Sequence, residues 1–185
     1  MVEWRPSMTD SRDVTPPSPF ISHWALRLAS MFPGGRALDV AAGRGRHSLA
    51  LAAAGFRVTA VELQFAALTQ TRTSAQARGL TLAYVCADCT QFPLPRHTFH
   101  TVVVTRYLDR WLFPALREAL VPGGVLLYET FTEHQLQYDR GPRSRAHLLA
   151  PGELRLLLRG MDVLFDEEVM APDAVARIAA RQRSG

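Results

Sequence analysis

The most informative stretch of this chain is LDVAAGRGRHSLALAAAGF, residues 38–56. A short apolar run carries an acid, Asp39, and is followed by a turn with two glycines, Gly43 and Gly45, and by an alanine-rich helical stretch. Because glycine has no side chain, ligand atoms can approach the backbone of such a turn closely. The N–H groups at the start of the following helix face the same crevice. The stretch therefore predicts a strand–turn–helix unit that binds a nucleotide-type ligand.

Strand-like and helical patterns alternate through the rest of the chain. The predicted strands are 37–40, 57–62, 82–88, 101–105 and 125–131, followed by two strand candidates, DVLFDEEVM and AVARIAARQ, with no good helix between them. Continuous apolar strands that alternate with helices are typical of a parallel sheet covered on both faces. We predict an α/β fold, a Rossmann-like three-layer sandwich, whose mostly parallel seven-stranded sheet ends in an antiparallel edge hairpin.

The length and composition are those of one globular domain. The chain has 185 residues, 48% of them apolar and 21% charged, which is ordinary for a soluble protein. No apolar run approaches the roughly 20 residues that span a bilayer, and the N-terminal residues show no apolar signal segment. We expect a flexible N-terminal arm over residues 1–19, a single domain over 20–185, no membrane association and a cytoplasmic location.

The charge and the cysteine content limit the kinds of partner that the protein can bind. The formal net charge is +4, and all 21 basic residues are arginines scattered along the chain. This scatter gives little support to nucleic-acid binding, for which basic residues cluster on one face. The pair Cys86 and Cys89, written CADC, can be redox-active or bind metal, but no second pair or histidine cluster completes a zinc site. We expect no metal, and a monomer or homodimer.

The glycine turn distinguishes three ligand classes. A P-loop needs GxxxxGK[ST], and the chain contains no lysine. A dinucleotide turn needs GxGxxG, but Ala41 and Arg46 stand at the first and third glycine positions, and Arg46 would obstruct the close helix–strand packing there. The pattern acid-x-G-x-G-x-G is matched at three of four positions, by Asp39, Gly43 and Gly45. A tight turn without any ligand is the alternative interpretation.

Two more acids follow the next two predicted strands. Glu62 ends the second strand about 20 residues after Asp39, where an acid can accept hydrogen bonds from both hydroxyls of a ribose. Asp88 ends the third strand. Buried carboxylates cost several kcal/mol unless they are satisfied, so packing alone does not explain three acids at consecutive strand ends. An ammonium group, a ribose diol and an exocyclic amine on one ligand would satisfy them.

This set of residues resembles motif I and the following strand ends of the class I S-adenosylmethionine-dependent methyltransferases. The segments GRGRHSLALAAAGFRVTAVE, SPFISHWA, RYLDRWLFPALREALVPGGVLLYETF and LLAPGEL further resemble the TehB-like branch, small bacterial methyltransferases named after tellurite-resistance proteins. The resemblance covers nearly the whole chain from Ser18 onward. It departs from the family at Ala41, where glycine is usual, and at Glu62, where aspartate is commoner.

The resemblance implies a role for each site residue. Gly43 and Gly45 would back the methionine part of S-adenosylmethionine, and Asp39 would orient its ammonium group. Glu62 would hold the ribose, Leu63 would flank the adenine, and Asp88 with Cys89 would meet the polar edge of the base. The full set implied for the cofactor is Asp39, Ala41, Gly43, Gly45, Arg46, His47, Glu62, Leu63, Asp88, Cys89 and Arg106.

The residues after the fourth and fifth predicted strands are the candidates for catalysis and substrate binding. Arg106 and Tyr107 would lie by the sulfonium and are our candidate catalytic residues. Tyr107, His134 and Arg143 are our candidate substrate contacts, since the loop after strand five overhangs the same edge and its arginines can hold an anion. A half-buried packing role for Tyr107 and a solvated basic loop are the alternatives.

We predict methyl transfer to a small-molecule acceptor, a thiol, an amine or a chalcogen species, by in-line displacement. Position and desolvation are the main contributions of the protein to such a reaction, and a general base is needed only if the nucleophile is protonated at the working pH. Two other interpretations stay open. One is a non-catalytic protein that binds the cofactor or a partner through the same crevice; the other is an NAD(P)-dependent oxidoreductase.

Overall fold

The strand that begins the quoted stretch lies in the middle of a seven-stranded sheet in the computed structural model, which describes residues 15–184. The strands are β1 (Arg36–Val40), β2 (Arg57–Glu62), β3 (Leu82–Cys86), β4 (Phe99–Thr105), β5 (Leu120–Phe131), β6 (Asp162–Val169) and β7 (Val175–Arg181). The helices are α1 (Pro19–Met31), α2 (Arg46–Ala53), α3 (Phe65–Ala77), α4 (Phe113–Ala119) and α5 (Glu153–Leu157). Three short 3-10 turns cover Arg110–Leu112, Glu133–Gln137 and Arg145–His147.

The strand order is β3-β2-β1-β4-β5-β7-β6. The first five of these strands are mutually parallel, while β7 is antiparallel to both β5 and β6. The order reverses between β1 and β4, which is the position where open α/β sheets bind ligands beyond the carboxyl ends of their strands. The predicted Rossmann-like sandwich with an antiparallel edge hairpin is confirmed.

Helices cover both faces of the sheet and create the two largest apolar cores. Side chains of α1, α2 and α3 pack on one face, around Trp24, Leu49 and Val103. Side chains of α4 and α5 pack on the other face, around Phe113, which stacks on Tyr128 with ring centroids 4.9 Å apart. Consecutive residues of β4 therefore contribute to opposite cores, as the two-residue period of a strand requires.

Some element boundaries differ from those expected. Strand β3 ends at Cys86, two residues before the acid that was predicted to close it, and β5 already begins at Leu120. Ser18 occupies the N-cap position of α1, but its hydroxyl makes no helix-capping bond. Residues 1–14 of the predicted flexible arm lie outside the described residues. Within residues 15–184, none of the helices has the length and apolar character needed to cross a membrane.

Candidate active site

The turn between β1 and α2 has an unusual backbone. Ala41, Gly43 and Gly45 have φ angles of 54°, 56° and 73°, in the left-handed region that side chains disfavour. A Cβ on Gly45 would lie 2.1 Å from Cγ2 of Thr71, so glycine is required there for α2 to pack against α3. A Cβ on Gly43 would have nothing within 4 Å. Gly43 therefore borders open space in the crevice.

The carboxylate of Glu62 connects two turns at the carboxyl edge of the sheet. Its Oε2 accepts a 2.8 Å hydrogen bond from the backbone N–H of Gly43, and its Oε1 accepts a 2.9 Å bond from that of Gln64. A carboxylate has about four lone-pair sites, so each oxygen keeps capacity for another donor. Leu63, the next residue, leaves 64% of its side chain exposed beside this carboxylate.

Asp39 lies behind the glycine turn, where it is 1% exposed. Its Oδ2 accepts a 2.5 Å hydrogen bond from the hydroxyl of Ser48 in α2. Burial raises the pKa of Asp39 to about 6, and the bonds from Ser48 only partly oppose this effect. A buried acid with a pKa near neutrality, placed in a crevice, is typical of a functional site.

Asp88 and Cys89 follow the end of β3. The carboxylate of Asp88 accepts 2.9 Å and 2.7 Å bonds from the N–H and hydroxyl of Thr90, and these bonds lower its pKa. Cys89 is buried, and burial raises the pKa of its thiol. The thiol is hydrogen-bonded to the hydroxyl of Tyr107, whose pKa is also raised, chiefly by burial. Tyr107 thus connects the ends of β3 and β4 and stays protonated near neutral pH.

His47, at the start of α2, is 2% exposed and uses both ring nitrogens within the protein. Its Nε2 accepts a 3.1 Å bond from the N–H of Ser18, so the ring proton is on Nδ1, which donates to Oγ1 of Thr105 at 2.9 Å. Burial lowers the pKa of His47 to about 3, with the guanidinium of Arg46 as a further cause. The neutral ring holds the chain before α1 against the end of β4.

Glu129 of β5 extends this buried network. Its Oε2 accepts a 2.8 Å bond from the hydroxyl of Ser18 and a 2.7 Å bond from Nε of Arg177. Glu129 is 5% exposed, so the ion pair with Arg177 satisfies a carboxylate that would otherwise be buried at high cost. The hydroxyl of Ser18 is used here rather than at the helix end, which explains the missing cap.

Arg106 follows β4 with a φ of 53°. Its N–H donates to the backbone oxygen of Glu129 at 2.8 Å, and its guanidinium lies 3.3 Å from Oδ2 of Asp173 and 5.6 Å from the ring centroid of Phe131. Arg46 lies near enough for the Arg106 charge to lower its pKa, although burial is the larger cause. Both arginines therefore lie at the carboxyl edge of the sheet.

The predicted substrate contacts His134 and Arg143 are exposed on the loop that joins β5 to α5. The guanidinium of Arg143 donates to the backbone oxygen of Leu136 at 3.1 Å and to Asp139 at 3.3 Å. Both residues are candidates on their position in this loop alone.

The structure thus brings most predicted site residues to one edge. The glycine turn, Glu62 and the end of β3 lie on adjacent strands, since Glu62 is in register with Cys86 and Asp39 with Ala60. Sequence reasoning did not find Asp173, which reaches Arg106 from the turn between β6 and β7. It also missed Glu129, although an acid within the apolar run VLLYETF was a visible signal.

Known proteins resemble this chain in part of its sequence and in its fold. Residues 37–124 match the family model described as a methyltransferase domain. No curated protein matches the chain significantly by sequence. Among solved structures, TehB from Haemophilus influenzae is similar with a TM-score of 0.73 and 18% identity, over 87% of this chain and 62% of that one. An S-adenosylmethionine-dependent methyltransferase from Clostridium acetobutylicum gives 0.73 and 14%, over 91% and 93%.

A third similar structure was determined for work on the conversion of a disulfide bond into a thioacetal group during echinomycin biosynthesis. It has a TM-score of 0.72 and 22% identity, and the alignment covers 92% of this chain and 84% of that one. Residues 37–124 thus match a methyltransferase domain, and the chain has the same fold as solved S-adenosylmethionine-dependent methyltransferases.

The described residues fit this cofactor. Open space borders Gly43, so ligand atoms can lie directly against the turn. Glu62 keeps acceptor capacity for a diol, because one backbone N–H donates to each of its oxygens and each oxygen has a second lone pair. No group of three or more histidine, cysteine or acidic residues able to hold a metal ion occurs within residues 15–184.

Proposed function

We propose that the protein transfers the methyl group of S-adenosylmethionine to a small-molecule acceptor that enters beyond β4, by in-line displacement. When bound, the cofactor supplies a methyl group already activated on a sulfonium. The observation that carries the proposal is the glycine turn: Gly43 borders open space while the N–H of the same residue fixes Glu62. The open space at Gly43 lies between the ends of β1 and β2, whereas Gly45 is closed off by Thr71.

The cofactor-binding roles follow the position of each side chain. Glu62 holds the ribose hydroxyls, since its carboxylate is oriented by two backbone N–H groups and has acceptor capacity left. Asp39 orients the ammonium group from behind the turn, and Leu63 offers an exposed apolar surface to the adenine. Asp88 and Cys89 lie where the edge of the base would reach. Arg46 and His47 support the turn.

The acceptor side is formed by Arg106 and Tyr107. The hydroxyl of Tyr107 is a hydrogen-bond donor and not a base near neutral pH, because burial raises its pKa. Orientation of the reacting groups can lower a barrier by about 7–11 kcal/mol, and a thiolate, an unprotonated amine or a chalcogen oxyanion needs no base. The likeness to the protein linked to conversion of a disulfide bond into a thioacetal group supports a sulfur acceptor.

The test is Gly43→Ala. The new methyl group enters open space, so the unliganded protein should lose only about 1–2 kcal/mol for a side chain at positive φ. Affinity for S-adenosylhomocysteine, measured by calorimetry, should fall at least tenfold, because the methyl group occupies the ligand's place. The matched control is Gly79→Ala, at a φ of 65° with nothing within 4 Å, in the connection from α3 to β3.

Three results would count against the proposed methyl transfer or favour one of its alternatives. Equal affinities in the two variants and the parent would show that the turn is not the binding surface. Binding of NADH without binding of S-adenosylhomocysteine would favour the oxidoreductase. Tight binding of the cofactor without methyl transfer to any thiol, amine or oxyanion acceptor would favour the non-catalytic protein.

A further inference from the structure

The turn between β6 and β7 places one carboxylate between two guanidinium groups at the acceptor side of the crevice. Oδ2 of Asp173 lies 3.3 Å from Nη2 of Arg106, and Oδ1 of the same carboxylate lies 2.8 Å from Nε of Arg140. Two positive charges thus share one negative charge. We call Arg106, Asp173 and Arg140 the arginine clamp; its net charge is one positive unit.

Both the backbone and the side chain of Arg106 are held in place at the end of β4. Arg106 immediately follows Thr105, the last residue of β4, and has the left-handed φ of 53°. Residues with a strained backbone of this kind cluster at functional sites. The N–H of Arg106 donates to the backbone of Glu129, and its guanidinium lies over the ring of Phe131, so both ends of the residue are fixed.

The partner side of the clamp is also fixed. Arg140 donates to the backbone oxygen of Pro172 as well as to Asp173, and Tyr138 donates to the backbone oxygen of Met170. Oε1 of Gln135 accepts a 2.8 Å hydrogen bond from the backbone N–H of Ala174. The loop after β5 is therefore attached to the turn between β6 and β7.

The clamp differs from a structural arginine in the same region. The guanidinium of Arg110 donates to both carboxylate oxygens of Glu153 and to the backbone oxygens of Ala146 and Leu148. Arg106 and Arg140 instead keep about half of their side-chain surface exposed, 49% and 58%. Their exposed donors can take a further acceptor in the fork geometry that matches a carboxylate.

We propose that the arginine clamp binds a carboxylate on the methyl acceptor, so that the substrate class is a small monocarboxylate bearing the nucleophile. One net positive charge suits one anionic group. The inference rests on the proposed methyl transfer, because the clamp lies beyond β4 where the acceptor enters. Asp173 competes with the incoming carboxylate and keeps the two guanidinium groups together in its absence.

The probes are the methylated product 3-(methylthio)propionate and its neutral amide, titrated into the protein with S-adenosylhomocysteine present. We expect the carboxylate to bind at least tenfold more tightly than the amide, and Arg140→Gln to abolish this preference. Asp173→Asn should increase affinity for the carboxylate severalfold, an increase that a purely structural role of Asp173 does not predict. Arg96→Gln, which breaks an exposed 3.0 Å pair with Glu118 before β4, is the control of equal charge.

Binding of S-adenosylhomocysteine is measured in the same experiment. If it binds but carboxylate and amide bind equally, or neither binds, the clamp inference is wrong while the proposed function stands. If S-adenosylhomocysteine does not bind, the proposed function is wrong. A loss of carboxylate affinity in Arg96→Gln equal to that in Arg140→Gln would reduce the effect to overall charge and overturn the inference.

Discussion

Ala41 is the residue at which the glycine turn departs from the family pattern, and the structure shows what this costs. Its φ of 54° is a conformation that costs an alanine roughly 1–2 kcal/mol, whereas a glycine adopts it freely. Glycine loses about 0.4–1 kcal/mol more on folding through the entropy of the unfolded chain. Ala41→Gly should therefore stabilise the protein by about 0.5–1 kcal/mol, measured by urea unfolding.

The neighbouring alanine gives the matched control for this substitution. Ala42 is buried and is not among the residues with positive φ. Ala42→Gly should destabilise the protein by about 1–2 kcal/mol, because it adds entropy to the unfolded chain and removes a buried methyl group. Effects of the same sign at both positions would show that the turn at Ala41 is not strained.

Asp39 is a second residue whose own properties make a testable prediction. Because its pKa in the free protein is about 6, the carboxyl is largely protonated at pH 5 and ionised at pH 7.5. A role in holding the ammonium group of the cofactor requires the ionised form. The dissociation constant of S-adenosylhomocysteine should therefore rise about tenfold per pH unit below 6, as followed by calorimetry.

The variant Asp39→Asn provides the control for that profile. It keeps an oxygen to accept the bond from Ser48 but has no charge to lose. Its affinity should be weak at pH 7.5 and independent of pH between 5 and 7.5. A pH-independent affinity in the parent protein would contradict the contact between Asp39 and the ammonium group.

Secondary-structure elements were predictable from the sequence wherever a run of residues was uniformly strand-like or uniformly helical. The β-branched run over 57–62 forms β2 with the predicted bounds, and the alanine-rich stretch after the glycine turn forms α2. Strand β3 ends at Cys86 because Asp88 bonds to the N–H and hydroxyl of Thr90 and turns the chain. Local side-chain bonds of this kind compete with strand pairing, and apolar pattern alone does not reveal them.

The acceptor side of the site depended on contacts that no local pattern encodes. The loop after β5 is positioned by bonds from residues 135–140 to the turn before β7, which arise only when β7 inserts between β5 and β6. The cofactor side was predictable, since its acids follow consecutive strands of one chain segment. The role of Asp173 was not predictable, because its partners Arg140 and Arg106 are about 30 and 70 residues away in the sequence.

The whole molecule is held together at the carboxyl edge by one buried polar network. His47 connects α2 to Ser18 and to Thr105, and Ser18 connects in turn to Glu129. These bonds join α1, α2, β4 and β5 at positions distant in sequence. The unfolding free energy should therefore respond to protonation of His47.

The sign of that response follows from its pKa of about 3 in the folded protein and about 6.5 in the unfolded chain. Between these values the unfolded chain binds the extra proton, so His47 lowers stability by about 1.4 kcal/mol per pH unit as the pH falls below 6.5. Asp39 acts in the opposite direction: its raised pKa makes the folded state bind the extra proton between about pH 4 and 6. In the parent protein the two effects largely cancel between pH 6 and 4.

His47→Asn should remove one of these two opposing effects and expose the other. The variant is less stable than the parent at pH 7.5, because the bonds of His47 to Ser18 and Thr105 are not both kept. Its deficit should shrink by about 1.4 kcal/mol per pH unit below 6.5, measured by urea unfolding at pH 7.5, 6 and 5. Asp39→Asn should show a slope of opposite sign relative to the parent below pH 6. If the curves of His47→Asn and the parent run parallel, His47 titrates normally in the folded protein, and the neutral buried ring does not connect these elements.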